Sequence, residues 1–215
     1  MRALPFELVA ADGTRLRGES WPGGPDWVLM VHDIGSDLDC WRPLIDPLGA
    51  AGYSVATIDL RGHGASDGEV AEWSMAGDLS ALLAQARRDA SGMMVLVAAG
   101  KVAALALSPD LMPRPDALVL FSPLPEGGAA TAGLRGDGTP KLFFVGAGDP
   151  EADRLARELR NRSIGHAGVI SFATTMQGAE LLQEPWRLHA VEQVVGFVDF
   201  VRFQSASVTE KGERS

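Results

Sequence analysis

Residues 94–107 read MVLVAAGKVAALAL. An apolar run of strand character passes through Ala98-Ala99-Gly100-Lys101 into small, helix-compatible residues. Strand, abrupt turn and helix is the geometry by which an α/β sheet presents a reactive atom above the carboxyl ends of its strands. The apex of this turn is Gly100, which has no side chain to react.

The flanking segments alternate in the same way. Upstream, residues 27–31 (WVLMV) form a continuous apolar strand of the kind buried on both faces of a parallel sheet, followed by His32-Asp33-Ile34-Gly35-Ser36 at its carboxyl end. A short helix is expected over 41–50, with Leu44, Ile45 and Leu48 on one face, then a buried strand over 54–58. The tight, charged loop DLRGHGASDG occupies 59–68, and Ser74 is a suitable cap for a helix to about Arg88, with Leu79, Leu82, Leu83 and Ala86 as its buried stripe. At the start of the chain, residues 4–10 and 14–18 flank the turn pair Asp12-Gly13 as a hairpin.

Downstream, strands are expected over 118–121, 141–145 and 169–172. A helix from Asp149 to about Arg162, a helical turn over 178–183 and a closing helix over 190–203 fill the intervals. Val191, Val194, Val195, Val198 and Val201 give the closing helix one apolar face. The connection 122–140 is rich in Gly and Ala and too short for an inserted helical lid. The expected fold class is therefore α/β, a mostly parallel sheet with helices on both faces and no substantial lid domain. One domain is expected over 1–204, with a polar, frayed tail over 205–215.

The composition excludes several classes of function. A formal charge of −9 without a Lys/Arg cluster argues against nucleic acid as a partner. No apolar stretch is long enough for a membrane span. Glu7 and Asp12 come too early for a secretory leader, and a cytoplasmic location is expected. The single cysteine, Cys40, makes neither an internal disulfide nor a cysteine-based metal site. The acidic series Asp149, Glu151, Asp153 lacks a histidine to complete a metal site, and no three-glycine fingerprint follows the first buried strand. Neither a metal nor a cofactor is expected.

The order of elements, together with His32-Asp33-Ile34-Gly35, the stretch 41–45, the DLRGHGASDG run, the 94–107 turn and the GAGD at 146–149, resembles the α/β-hydrolase family. The likeness is to its small lidless esterase and lysophospholipase-like members, over roughly residues 4–203. The resemblance implies a serine nucleophile within G-x-S-x-G at the turn, an acid after a late strand and a histidine base after the last one. On this sequence those positions hold Gly100, Asp149 and Gln177. It also implies an oxyanion loop near 32–35, with a second backbone donor from Lys101.

Serine-type acyl transfer needs an oxygen nucleophile whose proton passes to an imidazole held by a carboxylate. Gly100 supplies no oxygen, and an amide such as that of Gln177 cannot take up and return a proton near neutral pH. Asp149 is expected both to accept a hydrogen bond from the Gln177 amide and to cap the helix behind Pro150. His166 precedes the last strand and belongs at the opposite edge, His189 suits a helix entry, and Cys40 has no arranged partner as a displaced nucleophile. Lys101, a cation at the turn, suits either an anionic ligand or a solvated helix surface. The first expectation is a non-catalytic hydrolase-like protein that keeps a small-molecule pocket or a protein-partner surface. His32, Asp33, Ile34, Lys101 and His63 are the candidate ligand contacts. The alternatives are an active carboxylic-ester hydrolase with displaced residues near His32, His63 and Asp149, and a purely structural or dimerising protein.

Overall fold

Alternation inside the apolar strands decides the layering. Along Met94–Ala99, Leu96 and Ala98 point into one hydrophobic cluster while Val95, Val97 and Ala99 point into another. A strand buried on both faces needs a helical layer on each side. The computed structural model, which describes residues 2–124 and 138–212, supplies both. Its strands are β1 (Leu4–Val9), β2 (Arg15–Trp21), β3 (Trp27–Val31), β4 (Ser54–Ile58), β5 (Met94–Ala99), β6 (Ala117–Phe121), β7 (Lys141–Gly146) and β8 (Ala167–Phe172). They form one sheet in the order β1-β2-β4-β3-β5-β6-β7-β8, antiparallel at β1-β2-β4 and parallel from β4 onward.

Helices α2 (Glu72–Asp89), α3 (Gly100–Leu105) and α4 (Pro150–Arg162) cover the face that carries Leu96. Helices α1 (Arg42–Ala50) and α5 (Arg187–Gly212) cover the other. The expected stripes are buried: Leu79, Leu82, Leu83 and Ala86 on α2, and Val191, Val194, Val198 and Val201 on α5, with Val195 only partly covered. Each leucine or valine so buried contributes roughly 1.5–3 kcal/mol.

Two details differ from the expectation. Ser74 does not cap α2, which begins two residues earlier, at Glu72; its hydroxyl instead donates to Ala71 O at 2.8 Å from inside the first turn. The closing helix runs to Gly212, into the segment expected to fray, because nothing between 204 and 211 is a proline or glycine. Most of the connection expected to be lidless, 125–137, lies outside the described residues.

Strand register sets the site. Val31 is level with Ile58 and Ala98, Ala99 with Phe121, and Phe121 with Phe144. The residues that follow each strand therefore emerge along one edge. Beneath that edge Phe121 stacks on Phe144 with centroids 4.5 Å apart, and Trp41 meets Phe121 edge-on at 5.6 Å.

The 59–68 loop is folded around two buried charges. Asp59 accepts from the Leu38 and Ala65 N–H groups, each at 2.9 Å, and Ser66 Oγ donates to Asp59 O at 2.7 Å. Gly64, at φ +49°, leaves the space that the Asp59 carboxylate fills. Arg61 makes a two-pronged pair with Asp78 of α2 at 2.6 Å on both arms, both side chains being buried. Arg61 also donates to Asp12 Oδ2 at 2.8 Å, so removing Asp78 leaves the guanidinium with one half-exposed partner and breaks only the buried half of the cluster. Asp78→Ala is expected to lower unfolding free energy by about 1.5–3 kcal/mol, read from urea denaturation; a loss under ~1 kcal/mol would mean that the pair behaves as a surface ion pair.

Candidate functional site

The turn after β5 has the shape expected of it. Gly100 sits at φ +54°, the left-handed region that side chains rarely adopt. The space where a Cβ at Gly100 would stand is filled by the carboxylate of Asp33, which reaches across from the loop after β3. Asp33 Oδ1 accepts the Lys101 N–H at 3.0 Å. The backbone donor that the family resemblance assigns to an acyl oxygen is thus taken by the chain's own carboxylate.

The opposite wall is built on Asp149. One oxygen, Oδ1, caps α4 by accepting from Glu151 N at 3.2 Å and Ala152 N at 3.0 Å. The other, Oδ2, accepts from Gln177 Nε2 in a short hydrogen bond. The turn that carries Gln177, residues 178–182, is tied to the end of β6 by Ser122, whose Oγ accepts the Gly178 N–H at 3.0 Å. Ser122 is buried and holds φ +45°, a conformation that costs a non-glycine residue roughly 1–3 kcal/mol. Its role had no signal in the sequence beyond a small polar residue at a strand end.

Both histidines of this edge are committed. His32 is fully buried; its Nε2 accepts the Leu60 N–H at 3.0 Å, so Nδ1 carries the proton and donates to Asp33 O at 2.7 Å. Burial, and then the neighbouring His63, hold its pKa below the ordinary value, against weaker opposing effects from the Asp33 carbonyl and Asp59. His63 Nε2 accepts from Gly35 N and its Nδ1 donates to Arg61 O, both at 2.9 Å. With both nitrogens of each ring spoken for, the pair shapes the Asp33–Ser36 loop from behind. Burial pushes the Cys40 thiol up to about 12, which keeps it protonated and unreactive. His166 packs against Phe197 and Phe200 below the other edge, and His189 against Phe172.

Between the walls lies a cleft of about 680 Å³, lined by Asp33, Ile34, Cys40, Arg42, Gly100, Ser122, Gln177 and Glu180 among others. Of the five expected ligand contacts, Asp33 and Ile34 line it. His32, His63 and Lys101 do not: the rings lie behind the loop, and Lys101 contributes its N–H to Asp33. Among the described residues no three His, Cys, Asp or Glu side chains converge as a metal site would require. No helix among them is long and apolar enough to cross a membrane.

Two consequences are measurable. Gly100→Ala meets both the positive φ and the Asp33 carboxylate, so it should destabilise the fold by at least ~1–2 kcal/mol. Asp33→Ala in the same chain should recover more than additivity allows, by about 0.5–3 kcal/mol; a purely additive double mutant would show that the two do not share the space. His32 is neutral in the folded protein while the unfolded chain takes up a proton below the ordinary pKa of 6.5. Its contribution is full above that pH and is lost as pH falls toward the lower folded-state value, by at most ~1.4 kcal/mol per pH unit. His32→Gln should flatten the fall in unfolding free energy between pH 7 and the acid transition, and an unchanged slope would assign the fall to other groups.

The comparisons with known proteins agree with this fold. The family model described as serine aminopeptidase, S33, matches residues 26–149, from the start of β3 to the Asp149 cap. The dihydrolipoyllysine-residue acetyltransferase component of the acetoin cleaving system of Cupriavidus necator is 34% identical over 134 residues, 61% of this chain and 35% of that protein. The chain thus spans about a third of the length of this curated relative. An esterase of Pyrococcus furiosus superposes with a TM-score of 0.79 at 16% identity, covering 94% of this chain and 91% of that one. An esterase from Exiguobacterium antarcticum gives 0.74 at 16% identity, covering 91% and 100%. The structural likenesses establish the α/β-hydrolase fold, and the family match, which takes in more than half of the sequence, shows that the chain belongs to the serine aminopeptidase S33 family of α/β hydrolases.

Proposed function

We propose that this protein is a non-catalytic member of its family that keeps a ligand-binding cleft where relatives keep an active site. The observation that carries the reading is the Asp33 carboxylate lodged over Gly100 with the Lys101 N–H in its grasp. Acyl transfer needs an oxygen or sulfur at that point and a free donor for the developing oxyanion. Here the first position is glycine and the donor is already satisfied. At the base position Gln177 donates an amide N–H to Asp149 and cannot take up and return a proton near neutral pH.

The reading of an active ester hydrolase with displaced groups needs a free imidazole nitrogen on the cleft. Both nitrogens of His32 and of His63 are engaged, Asp149 is engaged at both oxygens, and the Cys40 thiol stays protonated. The acyl-transfer activity named for the Cupriavidus necator relative belongs to a protein of which this chain matches only about a third.

Purified protein is expected to hydrolyse p-nitrophenyl butyrate no faster than buffer, and to show no adduct by intact mass after treatment with a fluorophosphonate. Turnover that disappears in Asp33→Ala or Gln177→Leu would defeat the proposal. A rebuilt triad tests the same geometry in reverse. Gly100→Ser with Gln177→His should remain unlabelled while Asp33 is present, and should take up the fluorophosphonate once Asp33→Ala is added. Equal labelling with and without Asp33 would remove the carboxylate from the argument.

A further inference from the structure

The Asp33 carboxylate is under-used by the protein that holds it. A carboxylate offers about four acceptor positions. Among the described residues this one receives a single hydrogen bond, from Lys101 N to Oδ1, and no lysine or arginine pairs with it. Oδ2 overhangs Gly100, and Asp33 lines the cleft. The arginine described on the same cleft, Arg42, pairs with Asp39 at 2.8–3.0 Å rather than with Asp33. Glu180, also on the lining, accepts only the Gln177 N–H, at 3.2 Å. Among these acceptors Ile34, Leu124 and Leu182 give the cleft apolar surface, interspersed with polar side chains such as Ser36 and Gln183.

We propose that Asp33 replaces the missing nucleophile as the group that meets the ligand, and that it makes the cleft a receptor for a small primary ammonium ion carried on an apolar body. The inference rests on the reading that this turn performs no acyl transfer. An ammonium group brings the N–H donors that Oδ2 lacks, in a charge-assisted hydrogen bond. A carboxylate or an acyl oxyanion meets the reverse situation, with like charge at the base of the cleft and its backbone donor occupied. The net charge of −9 adds to the same preference by raising the local concentration of cations.

Three probes of equal length separate charge from hydrophobic fit: hexylammonium, 1-hexanol and hexanoate, titrated at pH 7 and followed through the amide signals of Ile34, Lys101 and Gly178. Hexylammonium should bind about tenfold more tightly than hexanol, the scale of one charge-assisted hydrogen bond, and hexanoate more weakly than either. Asp33→Asn keeps an acceptor for Lys101 and should bring hexylammonium down to the hexanol level. Asp33→Ala should do the same, and Glu180→Gln should move the ratio less than about twofold. Salt should weaken hexylammonium binding and leave hexanol unchanged.

Three results overturn the inference. They are hexanoate binding as tightly as hexylammonium, a charge preference that survives both Asp33 variants, and a preference that vanishes with Glu180→Gln instead. Ester turnover by the unaltered protein overturns the underlying reading, whereas a charge-blind cleft in a protein without turnover overturns this inference alone.

Discussion

Parallel pairing in register is the constraint on which the cleft depends. Because Val31, Ile58 and Ala98 stand level, and Ala99, Phe121 and Phe144 do so on the other side, the loops leave the sheet side by side. A register shift of one residue would send each apolar strand's side chains to the wrong layer, so burial on both faces locks the alignment. The aromatic stack of Phe121, Phe144 and Phe172 stiffens the edge from below. Asp33, Gly100, Ser122 and Gln177 meet because four separate strands end together, not because any local sequence brings them near.

On that frame the chemistry is one of occupied positions. The Asp33 carboxylate takes both the volume and the donor that an acyl substrate needs. The imidazoles that a displaced mechanism would recruit are spent on backbone groups of the neighbouring loops. Ser122, although strained and on the cleft, receives the Gly178 N–H and anchors the turn bearing Gln177. What stays available is a half-open cleft with a carboxylate at its base. A ligand held there would meet that carboxylate, and the physics of recognition differs from that of turnover in needing no group to change its bonding partner.

Much of the fold was legible because it is periodic. The apolar strands at 27–31, 54–58 and 94–99 and the stripes on α2 and α5 state their own burial. The Asp149 cap was readable too, since a carboxylate before a proline at a helix start is a local signal. The side-chain position of Asp33 was not readable: its contact with Lys101 spans 68 residues and exists only once β3 and β5 are paired. Ser122 and Gly178 are likewise 56 residues apart. Ser74 misled in a different way, since a serine hydroxyl serves equally at a cap or turned back on the preceding carbonyl.

Asp149, at the position that the family resemblance assigns to an acid, has structural duties that need no turnover. Its two oxygens answer to two employers: one satisfies free amides at the head of α4, the other faces whatever stands at residue 177. The first duty does not depend on the second. In this chain the acid in that place is accounted for by how the helix begins. It becomes a witness to catalysis only when the group across from it can carry a proton.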